Sequence, residues 1–433
     1  MRGTMSKIIT FPNGLRLWLK SMKNTRSVSI GVFVGAGSMH ETPENNGVAH
    51  FIEHMVFKGT TKRTAYQIVD EMEHFGIQIN AFTSKNMTAF YTVAIDEYAE
   101  KCMDMLSDLY YNATFTNENI QKEKGVVLEE ISMSEDDPED LCMELLCKAH
   151  FGNDQLAMPI LGNAESVKSF DRAAIKEFMQ KYYTSDNTLI SVVGNISPEN
   201  AVELVKKYFE INGEYILPAV IAKGKAKPQK QFLKKTKDIE QANIGISFPS
   251  YSLSDKQSST ASLITSMLGG GMSSRLFQKI REELGLVYNI YANDFQYVTD
   301  GYINIFFATN PSTAKQALLA IREIILKVIE EGFSQDELEK SKAQFKSALI
   351  LAAESSAYQM RAGGKYGILT NKEFNLDKKL KDIERVTPEE ISKALKYIFN
   401  LNDASISYVG KEIDGDLRQL FIKGEKNEAP KTV

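Results

Sequence analysis

The chain repeats itself. VSIGVFV (28–34) is echoed by ANIGISF (242–248), FTNENIQKE (115–123) by FSQDELEKS (333–341), and LISVVGNI (189–196) by SISYVGKE (405–412). The three pairs keep their order, and their offset stays between 214 and 218 residues. Such a pattern implies two copies of one unit of roughly 200 residues. A length of 433 residues also exceeds what one ordinary core serves. The expected division is an N-terminal domain over 1–216, a linker over 217–232 and a C-terminal domain over 233–433. The linker assignment rests on LPAVIAKGKAKPQKQ, which is rich in Pro and Lys and has no periodicity. The closing GEKNEAPKTV reads as a frayed tail.

Within each copy, strand and helix patterns mix. Val28, Ile30, Val32 and Val34 alternate with Ser29, Gly31 and Phe33, which is the period of a strand. TAYQIVDEMEHF (64–75) carries a helical pattern closed by Gly76. IQINAF and TAFYTVA read as hairpin strands around an SKNM turn. Thr116 and Ser334 are natural N-caps for long helices in the two copies. The fold class is therefore α+β, with two homologous units, each a mostly antiparallel sheet packed with helices.

Composition narrows the partners. A net charge of −5 favours neither nucleic acid nor an anionic membrane surface. No apolar run reaches the length of a signal peptide or a membrane span. Cys102, Cys142 and Cys147 are odd in number and lack paired spacing, which fits a reducing, cytoplasmic setting.

Chemistry concentrates in VAHFIEHMVFKGT (48–60). With Asn45 or Asn46 as cap, a helix through this stretch puts His50 and His54 on one face, about 6 Å of rise apart. Both imidazoles can then reach one ion, and Glu53 lies beside them. This H-x-x-E-H order inverts the commoner H-E-x-x-H and keeps its logic: two neutral imidazoles hold Zn²⁺ and a carboxylate activates water. Mn²⁺ or Co²⁺ would suit the same donors. A third ligand is wanted, and the helix expected over 117–137 offers Glu123 and Glu130, seven apart on one stripe with Val126 and Val127 between them. Buried acids need partners, and a metal is one way to satisfy them. Glu129 is turned about 100° away, toward solvent. His40, His74 and His150 read as ordinary core histidines. In the second copy the matching helix, SSTASLITSML (258–268), has neither His nor acid, and Ser341 and Ala348 stand where Glu123 and Glu130 stand. The duplicated fold does not need those residues.

HFIEHMVFKGT, with EKGVVLEEI downstream, resembles the pitrilysin/insulinase family of zinc peptidases, in the subgroup of the mitochondrial processing peptidase and its bacterial relatives. The resemblance spans nearly the whole chain. It implies one Zn²⁺ per chain, held by His50, His54 and Glu130, with Glu53 as general base and Glu123 supporting the ligands. In GGGMSSRLFQKIREELGLVYNIYA (269–292) it implies that Arg281 and Tyr288 hold and polarise the substrate carbonyl; a surface Arg and a core Tyr are the plain alternative. The glycine triplet lacks the G-K-[ST] of a phosphate loop and marks a helix end. The family builds a clamshell from two such double-domain halves, so the resemblance implies a homodimer in which Arg281 and Tyr288 complete the opposite subunit's site.

For substrate, similarity places Asn80 and Ala81 on a strand edge near the metal, open to an extended peptide or simply an ordinary edge. Phe57 lines an apolar pocket or belongs to the core. Asp140 and Glu144 present an acidic face to basic side chains or are solvated charge. The expected function is a zinc-dependent endopeptidase acting on peptides or unfolded segments in an enclosed chamber, with a preference near basic residues. The alternative is a non-catalytic or partner-dependent subunit on the same fold.

Overall fold

The computed structural model describes residues 6–212 and 226–424. The chain forms two compact units, each built on one sheet. In the first unit the strands are β1 (Lys7–Thr10), β2 (Arg16–Ser21), β3 (Ser27–Val34), β4 (Gln78–Thr83), β5 (Thr88–Ile95) and β6 (Thr188–Gly194). Their order is β1-β2-β6-β3-β5-β4, so β4 is an edge. The second unit has β7 (Phe232–Thr236), β8 (Ala242–Pro249), β9 (Val287–Gln296), β10 (Gly301–Thr309) and β11 (Ser405–Gly410), in the order β7-β11-β8-β10-β9.

The duplication is visible in the pairing. In each sheet one pair is parallel, β2 with β6 and β7 with β11, and the remaining pairs are antiparallel. Removing β1 leaves two five-stranded sheets of identical order and sense.

The units are not the contiguous spans 1–216 and 233–433. The first comprises 1–132, 158–222 and 348–377, the second 133–157, 223–347 and 378–433. Each half of the sequence gives one helix to the other half's sheet. Ser356–Thr370 covers β3 and β6, while Pro138–Phe151 covers β8 and β11. The two contacts match. A Cβ on Gly31 would lie 2.6 Å from Met360 Sδ, and a Cβ on Gly245 would lie 2.9 Å from Leu146 Cδ2. Met360 and Leu146 are themselves 214 residues apart, so the exchange is part of the repeat.

This exchange explains β3. Alternation predicts one buried face, yet Val28 through Val34 are all buried. Val28, Ile30, Val32 and Val34 join the main core with Phe51, Leu106 and Ile190. Phe33 packs on the other face with Trp18, Ala89, Leu189 and Met360, under the exchanged helix. Period-two sequence identifies the strand but not what covers its second face.

The linker assignment ends one residue too late. Residues 217–225 lie outside the described residues, but Phe232 already begins β7, paired with Ile406. Most of the proposed tail, 425–433, also lies outside them. The two long-helix caps are as expected. Thr116 and Ser334 cap their helices through Asn119 N–H and Glu337 N–H. The helix over Ser258–Gly269 stops at the glycine triplet. The three cysteines are buried thiols. No helix among the described residues is long and apolar enough to cross a membrane.

Candidate metal centre

Helix α1 spans Val48–Val56 and buries Val48, Ala49, Phe51, Ile52, Met55 and Val56, leaving His50, Glu53 and His54 on the opposite side. Its start differs from the expected asparagine cap. Gly47 is the cap, at φ +93°, a conformation glycine adopts without strain. The first amides are satisfied by Glu41, a fully buried carboxylate. Its Oε2 accepts from Gly47 N–H at 2.7 Å and Asn46 Nδ2 at 2.8 Å, and its Oε1 accepts from Ala49 N–H at 2.8 Å. Burial pushes the Glu41 carboxyl up to about 7, against the pull of these three donors. Asn45 instead accepts from Thr42 N–H.

The second contributor follows α2 (Ala65–His74) and α3 (Ala99–Asn112): helix α4, Asn117–Asp136. Glu123 is buried beside Val127, as the acidic stripe requires. Val126 is not; it is 45% exposed, because it lies about 60° round the helix from Glu123, at the margin of the stripe. Glu129 faces solvent.

The donors converge. His50 Nε2 lies 3.9 Å and His54 Nε2 3.5 Å from Glu130 Oε2, and one ligand atom from each residue lies within 4.8 Å of the others. Two donors about 2.05 Å from a tetrahedral Zn²⁺ stand about 3.3 Å apart, so a small inward movement closes this set on one ion. Glu130 Oε2 is buried and has no hydrogen-bond partner among the described residues. An acceptor left bare between two imidazoles is what a metal ligand looks like without its ion.

The surroundings fix His54. Its Nδ1 lies 2.8 Å from Glu123 Oε1, and Lys58 Nζ lies 2.8 Å from Glu123 Oε2. With the carboxylate accepting the Nδ1 proton, Nε2 carries the lone pair toward Glu130. Burial opposes ionisation of Glu123, yet hydrogen bonds from His54 and Lys58 win and hold its carboxyl below the ordinary value. Burial likewise opposes the charge on His54, but Glu123, Glu130 and Glu53 raise it overall. His50 is driven down to about 4, first by burial and then by the neighbouring His54, so it stands neutral and able to ligate. Glu53 Oε2 accepts a 2.6 Å hydrogen bond from Thr83 Oγ1, and burial raises its carboxyl above the usual range.

The other expected site residues are more scattered. Asn80 and Ala81 lie on the edge strand β4, with Asn80 exposed and its Oδ1 accepting the Ala81 N–H at 2.7 Å. Phe57 closes the C-terminus of α1 and packs half-buried against the core. Asp140 and Glu144 lie on α5 (Pro138–Phe151), which belongs to the second unit, whereas the metal donors belong to the first. Arg281 and Tyr288 are also in the second unit. Arg281 sits in a π-helical turn, Phe277–Glu283, over the rings of Phe277 (4.7 Å) and Tyr288 (5.7 Å). Tyr288 is 74% exposed and so is no core residue. Of the remaining histidines, His150 is buried, His40 half-buried, and His74 lies exposed at a helix end rather than in the core. Glu41 and Thr83 carry no motif signal, because each meets the site across a loop or a strand; Lys58 lies inside HFIEHMVFKGT, but that stretch does not say that its ammonium meets Glu123.

Residues 16–164 match the insulinase (peptidase family M16) domain, and residues 169–345 match the domain described as the peptidase M16 inactive domain. The chain belongs to the insulinase (peptidase M16) family. A Bacillus subtilis protein named uncharacterized zinc protease YmxG is 38% identical, over 91% of this chain and 96% of its own. An uncharacterized zinc protease of Rickettsia bellii is 31% identical over 96% of both chains. Among solved structures, a protease from Helicobacter pylori superposes with a TM-score of 0.87 at 20% identity, covering 94% of this chain and 99% of that one. A Pseudomonas fluorescens structure titled as a peptidase M16 inactive domain reaches 0.88 at 19% identity, covering 95% and 99%. The same fold is thus shared by a protein called a protease and one called an inactive domain, so activity has to be argued from the residues.

Proposed function

We propose that this chain is a zinc-dependent endopeptidase acting on peptides or unfolded segments. One observation carries the proposal: His50 Nε2, His54 Nε2 and the partnerless Glu130 Oε2 converge beside a carboxylate, Glu53, that is not needed as a ligand. His50, His54 and Glu130 would hold the ion. When bound, zinc supplies a Lewis acid for the scissile carbonyl and makes water a stronger acid. Glu123 keeps the His54 ring in the tautomer that offers Nε2. Glu53 takes a proton from the attacking water and returns it to the leaving amine.

Substrate is read through its backbone. The free edge of β4, with Asn80 and Ala81, would take an extended peptide, and Phe57 would border the leaving side. Asp140 and Glu144 would favour basic side chains. Two copies would enclose the peptide, with the partner subunit's Arg281 and the partner subunit's Tyr288 donating to the developing oxyanion. Buried thiols support a cytoplasmic setting.

The test uses the full chain, stripped of metal and then restored with zinc, on a mixed peptide library. Hydrolysis should appear only after zinc returns. Glu53→Gln should lower kcat by about 10²- to 10⁴-fold, while zinc and peptide still bind. Full activity in that variant, or in the metal-free protein, would overturn the proposal.

A further inference from the structure

The edge strand carries a second function besides its free edge. From the Thr83–Glu53 contact we infer that Thr83 is a positioning residue for the base: its hydroxyl occupies Glu53 Oε2 and leaves Oε1 as the oxygen that moves the proton. This deepens the peptidase proposal and rests on Glu53 being the base.

The geometry is specific. Thr83 is the last residue of β4, and Thr83 Oγ1 donates to Glu53 Oε2 at 2.6 Å, the length of a charge-assisted hydrogen bond. A glutamate on a helix surface has three side-chain torsions, and its two oxygens exchange by rotation about the last of them. A donor fixed on one oxygen removes that freedom. It also persists through the proton cycle. Once Oε1 is protonated, Oε2 is a carbonyl oxygen and still accepts the hydroxyl. The proton is therefore taken up and returned by the same oxygen, with no rotation of the carboxyl about its last torsion between the two transfers.

The donor is held rigidly. Thr83 pairs with Thr88 across the hairpin, and Ser84 N–H closes the turn on Met87 O at 2.8 Å. The segment before α1 clamps this turn from outside: Ser38 N–H donates to Ser84 O at 3.2 Å and Met39 N–H to Lys85 O at 2.9 Å. Gly37 permits the approach, since a Cβ there would collide with the Ser84 carbonyl. The opposing explanation is that a β-branched residue suits a strand and its hydroxyl takes the nearest acceptor.

Thr83→Val keeps the shape and removes the donor, and Thr83→Ser keeps the donor. With zinc-loaded full chain, Thr83→Val should lose 10- to 100-fold in kcat, with KM and zinc affinity (by chelator competition) within about twofold of wild type. Thr83→Ser should recover kcat to within about threefold. Crystals of wild type should show Glu53 in one rotamer, and those of Thr83→Val should show it spread over several. Undiminished kcat in Thr83→Val, equal losses in Val and Ser variants, or a loss that follows zinc affinity would overturn the inference. If zinc-loaded wild type cleaves no peptide, or Glu53→Gln stays fully active, the peptidase proposal itself falls and this inference with it.

Discussion

Two histidines, both buried enough to feel the loss of water, behave in opposite ways here. His54 is surrounded by carboxylates and gains proton affinity; His150 meets no carboxylate among the described residues, its Nδ1 lies 3.0 Å from Ser247 Oγ, and burial drives it down to about 4. The second case is a stability statement. In the fold His150 stays neutral, while in the unfolded chain it titrates near 6.5. Above that pH neither state is charged and the group contributes nothing. As pH falls from 6.5 to 4 the unfolded chain binds a proton that the folded one refuses, so stability falls, and below 4 the loss levels off. The full shift corresponds to about 3 kcal/mol. His150→Gln should remove this part of the pH dependence, seen as a shallower fall of the urea-unfolding free energy from pH 7 to 4. Parallel curves for wild type and variant would contradict the assignment. Residue by residue, the site was legible where chemistry is spelled in local spacing: His50, Glu53 and His54 on one helix, and Glu130 on a stripe. Glu41 and Thr83 were not, since nothing local to 41 or 83 says that its polar end meets a partner brought in by the fold.

At the scale of elements, the helix that crosses into the first unit shows packing prevailing over propensity. Ser356–Thr370 contains Gly363, Gly364 and Gly367, an unpromising set for a helix interior. All three are buried, and a Cβ on each would meet Trp18, Phe33 or Leu189. The glycines let the helix axis settle onto the aromatic face of the sheet. Gly364→Ala poses a direct contest. Helix propensity alone would stabilise by about 1 kcal/mol, whereas forcing a methyl into the Phe33 ring costs about 1–3 kcal/mol. Because Phe33 is itself fully buried and cannot swing away, the expected net effect is destabilisation of up to about 2 kcal/mol. Thermal unfolding of the two proteins decides the sign, and a stabilised variant would mean that the ring gives way. Elements of this kind are only half legible. Periodicity finds strands and helices, and the caps at Thr116 and Ser334 follow from residue type. Which sheet a helix covers is decided by loop reach and shape, so the exchange of Pro138–Phe151 and Ser356–Thr370 is invisible in any local pattern.

For the whole molecule, duplication is the organising fact. One scaffold was made twice and equipped once: Glu123 lies buried against His54 and Lys58, while Ser341, at the equivalent place in the second half, is buried with no hydrogen-bond partner for its hydroxyl among the described residues. The second half carries Arg281 and exposed Tyr288 instead, in a unit separate from the metal donors. A chain holding both sets can use them within itself or lend one to another copy, and mixing separates the two. Glu53→Gln lacks the base and keeps the Arg/Tyr pair; an Arg281→Ala, Tyr288→Phe variant keeps the base and lacks the pair. Each alone should be nearly inactive. If subunits exchange and the pair acts across a homodimer, half of the dimers in an equal mixture are mixed. In each of those, one of the two sites has an intact base facing an intact pair. Activity should then return to about one quarter of wild type. If each chain uses its own pair, no site in the mixture is complete and the activity stays at the level of the separate variants. The quarter-recovery depends on how many dimers are mixed, so it should rise as the proteins are co-incubated and be absent at the moment of mixing.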